Sequence, residues 1–317
     1  MKHDCTTHGR PERVLKNLNQ RAPMARFIAP AVLALGATAG LIGQETQDQA
    51  APLAQFSSQV QLVEVYATVT GAKGDLVMGL AREDFEIYEN NNIQDVSTFA
   101  AGEFPLTVAL GVDRSWSMAG DKLRLAKQAS QSFLRALKPA DRSMVVAINN
   151  DAEMIAPLTM DRFNQGRAIE ALDPWSTTAL HDAIIATLDR LAPEPGRQAL
   201  VIFSDGADRY SKASAAHVVE RARRSNALIY LIAFGRERSP LLAELAVVTG
   251  GRSFLLRDVR DLDKTLAEIA RELRYQYLLG YTPGDPIESG RPEWRSIRVV
   301  MKKPGLKVRA RDGYTTE

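Results

Sequence analysis

The chain has 317 residues, of which 45% are hydrophobic and 25% are charged, and its formal net charge is +2. This composition is typical of a globular protein and argues against a disordered chain or a coiled coil. The small net charge, without a long basic run in the body of the chain, gives no sign of binding to nucleic acid or to an anionic membrane surface. A single cysteine, Cys5, excludes an intrachain disulfide and a cysteine-rich zinc site.

An uncharged segment near the start of the chain has the layout of a secretory signal. Residues 27–43 read FIAPAVLALGATAGLIG, basic residues precede them and the polar stretch QETQDQ follows. We therefore interpret residues 1–44 as a signal, with Met1 or Met24 as the start and a small-residue cleavage site at 37–39. An uncleaved membrane anchor is the alternative, although the segment is short for a span. Under either interpretation the positive flank predicts export to the periplasm, the cell envelope or the medium.

The next region changes from a linker to strand-like sequence. Residues 45–59 are rich in Gln, Ala and Ser and are interpreted as a linker. From residue 60, the runs VQLVEVYATVT, DFEIYEN and IQDVSTFA are rich in alternating apolar positions and are separated by Gly- and Asn-containing turns. Residues 60–102 are thus predicted to be a β segment, too small to bury a core alone.

Continuous apolar runs then alternate with amphipathic segments over residues 103–279. The runs LTVALGVD, SMVVAIN, QALVIFSD and ALIYLIAFG are typical of strands buried on both faces. Segments between them, such as 122–137 and 179–191, carry apolar residues at helical spacing. The alternation predicts an α/β fold with a doubly wound, mostly parallel sheet.

The chain returns to strand-like sequence near its end. RSIRVVMK and LKVRARDGY are separated by a Pro-Gly turn, and residues 280–317 are predicted to form a second β segment. Neither β segment looks self-sufficient, so we expect residues 280–317 to join residues 60–102 in one small sandwich-like unit.

Polar side chains follow the buried strands at points where a ligand site is expected. Asp113, Ser115 and Ser117 come at the end of the first buried strand, and Asp205 comes at the end of the third. Thr178 stands immediately before a predicted helix. In open α/β sheets ligands bind at the carboxyl ends of the strands, so these side chains are predicted to meet.

Two carboxylates and three hydroxyls form a set of hard oxygen ligands. Such a set suits Mg²⁺ or Mn²⁺ and not Zn²⁺ or Cu²⁺. Magnesium requires an octahedron and usually keeps waters, so an outside carboxylate can complete its coordination. The predicted metal ligands are Asp113, Ser115, Ser117, Thr178 and Asp205.

Each of these pieces also has a structural interpretation. The first is an ordinary turn after a strand, Thr178 is an N-cap for the helix that follows, and Asp205 with Gly206 is a common turn dipeptide. His181 is expected to pack against the sheet, and Asp208 to lie in a solvated loop. The combination of three pieces at strand ends is what favours a metal site.

The DxSxS motif, the Thr before an ALxDAI helix and the SDG after a buried strand resemble the metal-ion-dependent adhesion site of von Willebrand factor type A (VWA) domains. The resemblance covers about residues 104–279 and implies a Rossmann-like sheet wrapped by helices. It implies the same five metal ligands. The flanking β segments resemble those of exported bacterial proteins that contain this domain.

One departure concerns the partner. The family usually has Gly between the two serines of the motif, whereas this chain has Trp116. We expect Trp116 and Trp175 to form an aromatic rim beside the metal, although each is equally well explained as a half-buried loop residue.

The expected function is to bind a partner protein that presents an Asp or Glu carboxylate to the metal, without enzymatic activity. A hydrolase that activates water on the same metal is a weaker alternative, because no acidic or histidine residue has a clear claim to be its general base. A serine hydrolase is disfavoured because the chain has no GxSxG motif and only four histidines. The third alternative is an envelope scaffold with a structural metal.

Overall fold

The computed structural model describes residues 62–234, 239–256, 262–285, 287 and 290–316. They belong to one compact unit, Ser58–Glu317. The predicted signal at 1–44 and the linker at 45–59 lie outside the described residues. Within the described residues, no helix has the length and apolar character needed to cross a membrane.

The described residues form fourteen strands and six α-helices. In chain order the strands are β1 (Val63–Thr70), β2 (Phe85–Glu89), β3 (Asn92–Gln94), β4 (Val96–Ala101), β5 (Leu106–Asp113), β6 (Arg142–Ile148), β7 (Ala152–Thr159), β8 (Arg197–Ser204), β9 (Leu228–Phe234), β10 (Arg252–Leu256), β11 (Tyr277–Tyr281), β12 (Trp294–Met301), β13 (Lys307–Arg309) and β14 (Gly313–Thr315). The helices are α1 (Asp121–Ala136), α2 (Arg162–Glu170), α3 (Leu180–Leu191), α4 (Ala215–Arg223), α5 (Pro240–Thr249) and α6 (Leu262–Arg274).

A six-stranded sheet of order β10-β9-β8-β5-β6-β7 forms the centre of the α/β part. Its strands are parallel except β7, which runs antiparallel to β6 at one edge. Successive residues of β5 face opposite sides of the sheet, as a pleated strand requires. Val108, Leu110 and Val112 pack with α1 and α6, whereas Ala109 packs on the side of α3, α4 and α5. The predicted α/β fold with a mostly parallel sheet is confirmed.

The region between β6 and α3 contains two elements to which the sequence analysis assigned nothing. Strand β7 has only two buried positions, Ala152 and Ala156, and shows no clean alternation of apolar and polar residues. Helix α2 is short and polar, and its start is marked by Asp161, whose side chain accepts a hydrogen bond from the Asn164 N–H. Edge elements that bury little surface leave a weak pattern in the sequence.

The two β segments supply both layers of a small sandwich. One sheet has the order β13-β1-β11-β4 and the other β14-β12-β2-β3. Their facing side chains form one apolar core, which contains Val65 of β1, Leu279 of β11, Ile87 of β2 and Ile297 of β12. The boundary predicted at residue 279 falls inside β11, which pairs on its two sides with β1 and β4.

A buried carboxylate connects the two sheets of the sandwich. Glu89, at the end of β2, is 2% exposed. Its Oε2 accepts hydrogen bonds from the Tyr281 hydroxyl at 2.7 Å and the Tyr314 hydroxyl at 2.9 Å, and its Oε1 accepts one from Arg295 Nη1 at 3.0 Å. Burial and the Glu89 carboxylate both raise the pKa of Tyr281, so this phenol keeps its proton and donates. The charge of Glu89 is thus compensated by a guanidinium and two phenols.

Removal of this carboxylate should weaken the sandwich strongly. We expect Glu89→Ala to lower the free energy of unfolding by about 3 kcal/mol or more, because buried donors lose their acceptor. Urea denaturation measures the change. As a control, Glu220→Ala removes an exposed ion pair with Arg224 and should cost less than about 1 kcal/mol. Equal effects of the two substitutions would contradict a role for Glu89 in joining the sheets.

Candidate metal centre

Three loops meet at the carboxyl ends of two adjacent strands. The first loop (residues 114–120) follows β5, the second (171–179) precedes α3, and the third (205–214) follows β8. Strand β5 pairs in parallel with β8 on one side and with β6 on the other. The chain connections diverge from β5 in opposite directions across the sheet, so these loops flank a topological switch point, where open α/β sheets bind their ligands.

Backbone hydrogen bonds join the first loop to the second. The Trp175 N–H donates to the Arg114 carbonyl at 2.7 Å, and the Trp116 N–H donates to the Ser176 carbonyl at 3.0 Å. Ser176 has a φ of 62°, which is uncommon for a residue with a side chain. These two hydrogen bonds between the loops use main-chain atoms, so they do not require tryptophan at either position.

Similar bonds join the second loop to the third. The Thr178 carbonyl accepts hydrogen bonds from the N–H groups of Arg209 and Tyr210, both at 3.0 Å. In the third loop Gly206 has a φ of 82°, and a Cβ on this residue would lie 2.9 Å from Ser239 Cβ. A glycine after Asp205 is therefore required by both backbone conformation and space.

Asp113, the last residue of β5, is fully buried. Its Oδ1 accepts a hydrogen bond from the Ser115 N–H at 2.9 Å, and its Oδ2 accepts one from the Ser204 hydroxyl at 2.6 Å. Burial raises the pKa of Asp113, and the nearby Asp205 carboxylate raises it further, against the lowering effect of the serine donors. Among the described residues no cationic side chain pairs with Asp113, so a dication bound here would relieve an uncompensated charge.

The remaining predicted ligands differ in their exposure. Ser115 is 1% exposed and its Oγ lies 3.1 Å from the Oγ of the exposed Ser117, so the two hydroxyls are adjacent. The Asp205 carboxylate accepts a hydrogen bond from the Ala207 N–H at 3.2 Å through Oδ1 and one from Lys122 Nζ at 2.7 Å through Oδ2. The Asp205 side chain keeps 10% of its surface exposed.

Thr178 is buried and does not cap the helix that follows it. The residue at the N-cap position of α3 is Ala179, which has no capping side chain. Instead Asp208 Oδ1 accepts hydrogen bonds from the N–H groups of Leu180 at 2.7 Å and His181 at 3.3 Å. Asp208 is thus a structural residue of the third loop, not the solvated loop residue expected from the sequence, and the N-cap interpretation of Thr178 is wrong.

The donor set of this centre is poor in charge. Among the described residues no group of three or more His, Cys, Asp or Glu side chains is arranged to hold a metal ion. The candidate centre has two carboxylates, Asp113 and Asp205, and its other donors are the hydroxyls of Ser115, Ser117 and Thr178. Hard oxygen donors of this kind fit Mg²⁺ or Mn²⁺ in chemistry, and the buried Asp113 provides the charge such an ion requires.

Residues 108–268, more than half of the chain, match the family model of the von Willebrand factor type A domain. The chain belongs to the VWA family. A UPF0353 protein of Mycolicibacterium paratuberculosis (strain ATCC BAA-968 / K-10) is 24% identical over 209 residues, which is 55% of this chain. The chain spans 62% of the length of that curated relative.

Several solved structures are similar to this VWA domain. A von Willebrand factor type A protein from Catenulispora acidiphila is 16% identical, with 80% of this chain and 73% of that chain covered and a TM-score of 0.49. BatB from Bacteroides thetaiotaomicron is 17% identical, with 53% and 98% covered and a TM-score of 0.45. Proximal thread matrix protein 1 from the mussel byssus, solved with a zinc-occupied MIDAS motif, is 15% identical, with 60% and 50% covered and a TM-score of 0.49.

Each of the three loops of the VWA domain exposes one large aromatic side chain. Trp116 in the first loop is 63% exposed, Trp175 in the second is 58% exposed and Tyr210 in the third is 62% exposed. The sequence analysis singled out the two tryptophans but not Tyr210. The one indication of Tyr210 in the sequence is its position five residues after Asp205. That position places it near the centre only because the third loop folds back on Thr178.

Proposed function

We propose that this VWA domain binds Mg²⁺ or Mn²⁺ and, through that ion, a partner protein that offers an Asp or Glu carboxylate. The observation that supports the proposal is the meeting of three loops with five oxygen donors beside the carboxyl ends of β5 and β8. The residues proposed to hold the ion are Asp113, Ser115, Ser117, Thr178 and Asp205.

The chemistry of these donors suits recognition of an anion. A bound divalent ion would supply a coordination position open to an oxygen atom from outside the chain. Asp113 would hold the ion from the buried side, and the hydroxyls of Ser115 and Ser117 would orient it without adding negative charge. A partner carboxylate would then be attracted most strongly where the loops exclude water.

The surroundings of the site favour a binding module over a hydrolase. Two candidates for a general base, His181 and Asp208, lie in or beside the third loop and the start of α3. His181 Nδ1 lies 3.0 Å from the Ala213 carbonyl oxygen, and Asp208 is engaged at the start of α3 and by the Ser211 hydroxyl at 2.6 Å. Asp208 is thus committed to the local structure of the third loop, and the His181 ring is held there through Nδ1; among the described residues, neither side chain makes a hydrogen bond to a proposed metal ligand.

The three exposed aromatic residues would surround the carboxylate anchor. Trp116, Trp175 and Tyr210 present large side chains that lose little conformational entropy on binding, which is why such residues dominate many protein interfaces. A rim of this kind would add apolar contact area to a point interaction. The preferred partner would therefore carry apolar side chains beside its acidic residue.

We also propose that the domain acts outside the cytoplasm, on the basis of the uncharged segment at 27–43 and its basic flank. Alkaline phosphatase fused after residue 59 should be active in cells, because the enzyme requires an exported location. The same fusion without residues 27–43 is the control and should be inactive. Equal activity of the two fusions would contradict export through this segment.

Metal binding should depend on the two carboxylates. We expect Asp113→Ala and Asp205→Ala to abolish the binding of Mn²⁺ measured by isothermal titration calorimetry, because each removes an anionic donor. Asp121→Ala, which removes an exposed carboxylate at the start of α1, is the matched control and should bind like the wild type. Wild-type affinity in both of the first two variants, with circular dichroism unchanged, would refute the assignment.

Partner binding should depend on the ion. Proteins of the envelope fraction captured by the immobilised domain in Mg²⁺ should be released by EDTA and should not bind Asp113→Ala. Trp116→Gly should alter the affinity for a captured partner while leaving Mn²⁺ affinity unchanged, since the Trp116 side chain is exposed and its N–H, which bonds to the neighbouring loop, is kept by Gly. A partner that binds equally with EDTA and to Asp113→Ala would favour the scaffold alternative, in which the metal has a structural role.

A further inference from the structure

A lysine lies against one of the two carboxylates of the candidate centre. Lys122, the second residue of α1, donates from Nζ to Asp205 Oδ2 at 2.7 Å and to the Ser117 carbonyl at 3.0 Å. The Lys122 side chain is 40% exposed, whereas that of Asp205 is 10% exposed. Both contacts of the ammonium are made with residues proposed to hold the ion, so this lysine belongs to the electrostatics of the centre.

The two carboxylates are therefore compensated unequally. Asp113 receives hydrogen bonds from an amide and a hydroxyl, which are neutral, whereas Asp205 is paired with a cation. Counting formal charges, Asp113 and Asp205 contribute −2, a bound dication +2 and Lys122 +1, so the loaded centre keeps +1. Without the lysine the sum is zero. A centre with a positive sum attracts an incoming carboxylate more strongly than a neutral one.

We propose that Lys122 tunes the centre for anionic partners, an inference that rests on the proposed function. The Lys122 ammonium partly neutralises the Asp205 carboxylate, so the ion is bound less tightly than it would be by two carboxylates without a cationic partner. The same effect leaves the ion more electrophilic toward the carboxylate of a partner. Lys122 is thus a specificity-determining residue that lowers the affinity of the centre for the metal and raises the affinity of the loaded centre for a carboxylate.

If Lys122 has this role, its removal should raise the affinity for the metal and lower the affinity for a carboxylate. Two simpler roles of the lysine predict different results. If Lys122 only competed with the ion for Asp205, its removal would tighten metal binding and leave carboxylate binding unchanged. If it only braced the first loop against the third, its removal would weaken both. A gain in one affinity with a loss in the other is expected only if the lysine sets the charge of the loaded centre.

The test measures both affinities in the full chain at one buffered pH near 7. Binding of Mn²⁺ is followed by the electron paramagnetic resonance signal of the free ion. Binding of acetate, a small carboxylate probe, to the Mn²⁺-loaded protein is followed by relaxation of its methyl protons. The variants are Lys122→Met, which removes the charge, Lys122→Arg, which keeps it, and Lys127→Met as the control. Lys127 lies on the same helix and donates to the Glu170 carbonyl at 2.7 Å, away from the centre.

We expect Lys122→Met to bind Mn²⁺ roughly threefold more tightly and acetate roughly threefold more weakly than the wild type, a modest change because the lysine is partly exposed. Lys122→Arg should retain most of both wild-type affinities, and Lys127→Met should match the wild type. Changes in the same direction in Lys122→Met, or a change in only one affinity, would overturn the inference. Wild-type protein that binds Mn²⁺ and acetate alongside an unaffected Lys122→Met would overturn it and leave the proposed function standing. Wild-type protein that does not bind Mn²⁺ would refute the proposed function itself.

Discussion

A fully buried carboxylate without a cationic partner is the constraint around which the loops of this domain are arranged. Asp113 ends the central strand β5 and receives hydrogen bonds only from neutral donors, Ser115 and Ser204, among the described residues. Burial of a carboxylate costs free energy unless its charge is compensated, and the raised pKa of Asp113 reflects that cost. The sheet buries this side chain where three loops can supply further oxygen atoms, which is the arrangement that a cation would stabilise.

The same chain contains a buried carboxylate that is compensated from within. Glu89 accepts from the guanidinium of Arg295 and the hydroxyls of Tyr281 and Tyr314, so its charge and both its oxygens are satisfied by the protein. Asp113 differs from Glu89 because its charge is met by neutral donors alone, which is why we propose it, and not Glu89, as a metal ligand. Buried acidic residues of similar exposure thus differ in role according to the charge of their donors.

The loops around Asp113 are held mainly by their main chains, which explains how the site can tolerate an unusual residue. Trp116 occupies a position where the VWA family usually has Gly, and its N–H bonds to the Ser176 carbonyl whatever its side chain is. The ring is directed to the surface, as its 63% exposure shows. Side chains at the rim can therefore change the surface presented to a partner while the geometry of the oxygen donors is retained.

The sequence by itself determined the α/β architecture and predicted which residues form the candidate metal site. Continuous apolar runs such as residues 106–113 predict buried strands because parallel strands are covered on both faces, and the DxSxS, Thr and SDG pieces follow from chemistry that requires oxygen donors at strand ends. The polar edge elements at 152–170 were missed, since they bury too little surface to show a period.

Only the tertiary structure decided which residues that are distant in sequence form hydrogen bonds with each other. Asp208, and not Thr178, accepts hydrogen bonds from the N–H groups at the start of α3. Lys122 donates to Asp205, which is 83 residues away in the sequence. Tyr210 lies against the second loop because its N–H donates to the Thr178 carbonyl. No regular spacing in the sequence predicts contacts of this kind, because they depend on how loops from separate strands pack together at one edge of the sheet.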